Sequence, residues 1–284
     1  MLTRDTLLWY TRMPSHWLFR EVDNEFADGV AKAMEEAAAD LARPDARETL
    51  GDEHDQCQHL FTKMYTLLQS RAGGLSRMLL RSTDFRNPVV ELRYYRSRVR
   101  RARQGSRAQF VEAETGADFA FALAIDLPGV IKAERSVLGQ AKILSDAGVV
   151  IEPEQLQQLR TVAGPESATY LLWGNGAPPS VVSAENIAAA IRTTGTNRVP
   201  PTLLRAGKPL SEFFCDSFVG LWFGKDYASQ RAEDHPPKES IGVLYHFLHR
   251  GTPPPNVVYF GLSSARQVKV PPGVYVQDII DIPI

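Results

Sequence analysis

The sequence predicts an α/β fold: a mixed central sheet flanked by helices, with an N-terminal helical region and a C-terminal elaboration. Three observations carry this. The apolar runs ADFAFALAI (117–125) and VLGQAKIL (137–144) read as buried strands on either side of a Pro128-Gly129 turn signal. A helix pattern starts at Pro153, a residue suited to a first helical position, with Leu156, Leu159 and Val162 on one face. SATYLLWG then reads as a buried strand, and AENIAAAIR as a helix capped by Ser183.

The other elements follow in order. Residues 1–48 look helical: Phe26, Val30, Met34 and Ala38 recur at helical spacing in an Ala- and Glu-rich stretch that stops at Pro44. A second helix in DEHDQCQHLFTKMYTLLQSRA carries the stripe Leu60, Met64, Leu67 and Leu68, and Gly73-Gly74 is expected to break it. A third helix is expected over roughly 89–103, carrying an arginine run. The segment DLPGVIKAERS is expected to connect the two central strands. From Thr193 the chain is rich in Pro and Gly, and the aromatic block at 213–224 is expected in the core or at an oligomer contact. NVVYFGLS and GVYVQDIIDIPI read as two more strands. The expected division is 1–104 as the helical region, 105–195 as the core, and 196–284 as an extension completing or packing on it.

With 284 residues, 44% of them hydrophobic, the chain has ample material for a large core. A net charge of −1 excludes a generally polycationic protein, so any nucleic-acid surface must be local. Cys57 and Cys215 form no C-x-x-C pair, which fits free thiols in a reducing cytoplasm. No apolar leader core and no run of 18 apolar residues is present, so neither signal peptide nor membrane span is expected, and the expected location is cytoplasmic.

The chemistry-bearing residues interrupt the central strands. Strand side chains alternate between faces, so Gln140 and Lys142 share one, and Asp118 shares its face with Ala120, Ala122 and Ala124. If the strands form a hairpin, an acid, an amide and an amine meet at one end of the sheet. A hard divalent cation takes such oxygen ligands, and a lysine can orient an attacking water and offset developing negative charge. The bland alternative has Asp118 capping a turn and Lys142 lying at a sheet edge. Polar groups within a buried strand are costly unless paired, which favours the functional reading.

The pattern E-T-G-A-D, then Q-x-K, then a helix and a strand resembles the PD-(D/E)XK superfamily of restriction-endonuclease-like nucleases, especially Mrr-type and related bacterial defence nucleases. It covers about residues 107–192. The resemblance implies a restriction-endonuclease-like core and a magnesium- (or manganese-) dependent nuclease that hydrolyses DNA phosphodiester bonds in anti-phage defence or restriction. RNA stays open as a substrate, as does a homo-oligomer or a partner defence protein. It further implies that Asp118 is the first metal ligand, Gln140 the second and Lys142 the catalytic lysine. Glu114, or with less support Glu112, matches an upstream glutamate. Gln140 is neutral where the motif usually carries an acid, so Glu114 is expected to supply the additional carboxylate. The main rival is a catalytically silent member of the fold that binds nucleic acid or a partner protein.

Arginines at 93, 96, 98, 100, 101, 103 and 107 surround Tyr94 and Tyr95. Arg96, Arg98, Arg100, Arg101, Arg103 and Arg107 are the candidates for phosphate contacts. A solvated helix face paired with the acidic N-terminal helices is the competing expectation, and an interaction protein whose arginine helix grips an acidic partner is a further rival. His54, Cys57 and His59 have no zinc spacing, because they fall on different helix faces.

Overall fold

The computed structural model describes residues 24–82, 88–97, 116–127, 131–174, 176–220, 225–226, 254–264 and 279–281. Helices α1 (Asn24–Ala38), α2 (Ala46–Leu50) and α3 (Glu53–Ser82) come first, followed by strands β1 (Pro88–Ser97), β2 (Phe119–Leu127), β3 (Ile131–Ile143) and the short β4 (Val149–Val150). Helix α4 (Pro153–Ala163), strands β5 (Ala168–Gly174) and β6 (Ala177–Ser183), and helix α5 (Ala184–Thr194) complete the middle of the chain. β7 (Arg198–Val199), a 3-10 turn at Pro201–Ala206, β8 (Lys208–Pro209), the single turn α6 (Leu210–Glu212) and a π-helical turn at Phe213–Val219 follow. β9 (Lys225–Asp226), β10 (Asn256–Ser264) and β11 (Ile279–Asp281) end the described structure.

The fold is α/β, as expected. Among the described residues nine strands form one mixed sheet in the order β11-β1-β10-β2-β3-β5-β6-β8, with β9 paired to β3. β2 and β3 are antiparallel, whereas β10 runs parallel to β2 and β5 parallel to β3. Alternation along β2 divides the core in two. Phe119, Phe121, Leu123 and Ile125 face one layer, with α1, α3 and the 213–219 turn; Phe61 lies 5.2 Å from Phe119 and 5.6 Å from Phe121 between ring centroids. Ala120, Ala122 and Ala124 share the opposite layer with buried residues of α4 and α5. Phe213, Phe214 and Phe218 are fully buried, which places that part of the aromatic block in the core. No helix among the described residues is long and apolar enough to cross a membrane.

Three expectations are corrected. Residues 88–97 form a strand rather than the start of a helix: Val90, Leu92 and Tyr94 enter one core layer and Tyr95 the other, a period of two that tertiary pairing enforces. Gly73-Gly74 does not end α3. A glycine costs about 1 kcal/mol in a helix interior, but Leu75 and Leu79 beyond it are buried in the core and hold the helix through to Ser82. The hairpin connection is shorter than DLPGVIKAERS, because Leu127 already pairs with Ile131. Pro128-Gly129 lies outside the described residues. Residues 88–97 and 256–264 lie in the same sheet as the expected core, where β10 sits between β1 and β2.

Candidate functional site

β3 outruns its hairpin partner, and the site forms where it does. The ladder with β2 ends at Phe119↔Gly139, beyond which Asp118 N donates to Gly139 O at 2.8 Å. β3 continues beside β5, pairing Gln140 with Tyr170 and Lys142 with Leu172. Its other edge would leave backbone N–H groups unpaired, and buried N–H groups need partners. Two carboxylates supply them: Asp118 Oδ2 accepts from Ala141 N at 2.8 Å, and Glu53 Oε2 accepts from Ile143 N at 3.0 Å.

Each element that positions Asp118 has a local reason. Gly116 has φ of +64°, and a Cβ there would lie 2.7 Å from the carbonyl oxygen of Gln155, so glycine lets the entry to β2 press against α4. Asn256, buried at the head of β10, donates to Asp118 O at 3.2 Å and accepts from the Tyr94 hydroxyl at 2.7 Å. Burial raises the Tyr94 pKa to about 12, so it stays a neutral donor. Gly139 is demanded by Phe119, whose ring atoms would lie 2.0–2.6 Å from an added Cβ.

Lys142 and Gln140 are held differently. Lys142 Nζ lies 2.9 Å from Glu53 Oε1, with side chains 18% and 35% exposed. Glu53 sits in the first turn of α3, where a negative charge suits the helix dipole. Gln140 is fully buried and donates through Nε2 to Gln155 Oε1 at 2.9 Å. Its own Oε1 is buried with no hydrogen-bond partner. Cys57 lies near this cluster. Burial first, then the charges of Asp118 and Glu53, push its thiol pKa well up against the opposing Lys142, so it is an inert neutral thiol.

Asp118, Gln140 and Lys142 therefore come together at one end of the sheet. Glu114, Glu112, Arg98, Arg100, Arg101, Arg103 and Arg107 lie outside the described residues. Arg96 is half-buried in β1, paired with Asn256 of β10 and Ile280 of β11, and so stands in a sheet rather than on a helical stripe. His59 bonds to Asp40 at 2.9 Å, and Cys57 is buried, away from any zinc arrangement. Sequence reading missed Glu53, Gln155, Tyr170 and Asn256. Only Asn256 carried a signal, the one Asp118 carries: a polar residue heading an apolar strand.

Among the described residues, no group of three or more His, Cys, Asp or Glu side chains could hold a metal ion. Glu53 is no substitute, since both of its oxygens are engaged and the N–H it caps is two residues, about 7 Å, along β3 from the one Asp118 caps. What does fit a hard cation is one carboxylate, Asp118, with one unpartnered amide oxygen, Gln140 Oε1. Magnesium commonly takes one or two carboxylates and keeps several waters. A cavity of about 770 Å³ adjoins the site through Glu53, lined also by Leu41, Arg43, Gln56, Asp146 and Trp173, but neither Asp118, Gln140 nor Lys142 lines it. Arg43 there is already bound to Asp45, so the cavity offers little to a phosphate. Compared with protein-family models, curated proteins and solved structures, the chain matches none.

Proposed function

We propose that this chain is a divalent-metal-dependent nuclease acting on DNA phosphodiester bonds. The observation that carries the reading is the meeting of Asp118, Gln140 and Lys142 at the end of β3, with Gln140 Oε1 buried and unpartnered. Asp118 and Gln140 would hold the cation. When bound, it would supply Lewis-acid polarisation of a phosphoryl oxygen. Glu53 holds the Lys142 ammonium in place, ready to orient water and to stabilise the charge that grows on the phosphoryl oxygens. The setting in restriction or phage defence rests on the motif resemblance alone, as do the arginine contacts to phosphates.

A second reading has its own support. Asp118 and Glu53 both cap backbone N–H groups, and no three-acid cluster forms among the described residues, as suits a silent nuclease fold that binds nucleic acid or a partner protein. The deciding experiment incubates plasmid DNA, linear DNA and RNA with the wild type, Lys142→Ala and Asp118→Asn, with Mg²⁺ or Mn²⁺ and with chelator. Metal-dependent cleavage by the wild type, lost in both variants, is expected. Binding without cleavage by the wild type would favour the silent reading, and cleavage by both variants at the wild-type rate would end the assignment.

A further inference from the structure

Beside Gln140 stands a second buried polar atom with no partner. Tyr170 pairs with Gln140 across the parallel β3–β5 ladder, and residues paired in this way project to the same face. Tyr170 is fully buried, and its hydroxyl, like Gln140 Oε1, lacks a hydrogen-bond partner. Two such atoms on adjacent strands are unusual, because a buried hydroxyl without a bond costs stability that a phenylalanine of the same shape would not. Asp118 lies near enough for its charge, after burial and before that of Glu152, to raise the Tyr170 pKa. The pair faces the layer that holds α4, which contributes Gln155 to the Gln140 amide but no hydrogen bond to either oxygen; Ser136 Oγ, earlier in β3, is likewise buried without a partner.

We infer that Tyr170 is a further ligand-binding residue of this site, its hydroxyl and Gln140 Oε1 together facing one buried ligand, a hydrated divalent cation. Gln140 Oε1 supplies a neutral oxygen toward the ion, Asp118 supplies the charge, and the Tyr170 hydroxyl holds hydration water. The inference rests on the metal-dependent reading proposed above, and adds a residue that neither the motif nor its spacing indicates.

The test is Tyr170→Phe in the full chain, which removes one oxygen and leaves the ring. Metal-free melting, calorimetric titration of Mn²⁺ and plasmid cleavage are measured for wild type, Tyr170→Phe and Asp118→Asn. Without metal, Tyr170→Phe is expected to melt at the wild-type temperature or about 2–4 °C higher, since an unbonded hydroxyl is gone. Its Mn²⁺ affinity is expected to fall about 10-fold or more, with cleavage falling at subsaturating metal. A metal-free melting temperature lowered by several degrees would overturn the inference, because the hydroxyl would then serve the fold. Unchanged Mn²⁺ affinity would overturn it too; if Asp118→Asn abolishes binding in the same series, the nuclease reading stands without Tyr170. A wild type that binds no Mn²⁺ removes both.

Discussion

Removing the Glu53 carboxylate tests whether the end of β3 is held as described. Glu53→Ala deletes two hydrogen bonds at once, to Ile143 N at 3.0 Å and to Lys142 Nζ at 2.9 Å. An unsatisfied backbone N–H costs about 1–3 kcal/mol when buried; this one is part-buried, so the lower half applies. The ion pair joins a side chain 18% exposed to one 35% exposed, between the surface and buried cases, so it adds about 1 kcal/mol. Together they give about 2–3 kcal/mol, or about 4–12 °C of melting temperature at this chain length. Glu53→Gln should cost about half as much, because its carbonyl can still accept from Ile143 N while its amide faces Lys142. The assay is thermal melting by circular dichroism of Glu53→Ala, Glu53→Gln, Lys142→Ala and the double variant Glu53→Ala/Lys142→Ala. The double variant should be less destabilised than the sum of its singles. A Glu53→Ala protein that melts within 1 °C of wild type, or strictly additive singles, would refute this account of the strand end.

Gly139→Ala should destabilise the chain by about 1–3 kcal/mol or more, because its Cβ would lie 2.0 Å from Phe119, and a neutral melting curve would disprove that packing. Gln140→Glu should lower metal-free stability by about 3 kcal/mol, since a buried carboxylate would face the acceptor oxygen of Gln155, and Mn²⁺ should restore part of it; no restoration would place position 140 away from the cation. Asp40 has its pKa held below the ordinary carboxylate value by bonds from Lys63 and His59, so it stabilises the fold at neutral pH and loses that contribution as pH falls through its folded pKa. Asp40→Asn should therefore be less stable than wild type at pH 7, with the gap closing below about pH 4; a gap that is constant with pH would contradict the bonding.

The hairpin was legible because its two runs alternate small or polar residues with large apolar ones, and a polar residue in such a run is conspicuous. Asp118, Gln140 and Lys142 stood out for that reason. Glu53 could not, because it meets Lys142 from 89 residues away and looks, locally, like an ordinary acidic start to a helix. Tyr170 was equally hidden: tyrosine in a buried strand is common, and only the unbonded state of its hydroxyl singles it out. β1 was misread through its arginines. Their density suggested a solvated helix, while the alternation of Val90, Leu92 and Tyr94, which the sheet uses, was present but masked by charge. Gly73-Gly74 shows the reverse error, a local breaker overruled by distant burial.

The place of β10 between β1 and β2 has a consequence for the timing of synthesis. The strand that carries the anchor of Asp118, Asn256, emerges long after the hairpin it flanks. At roughly 5–20 residues per second, the ribosome needs roughly 6–26 s after finishing β2 to reach residue 256. Throughout that interval β2 has an open edge and the Tyr94 hydroxyl lacks its acceptor. A nascent chain with its hairpin already formed therefore has the Asp118 bonds to Gly139 and Ala141 but not the Asn256 anchor, and the site is complete only once β10, near the end of the described chain, has taken its place in the middle of the sheet.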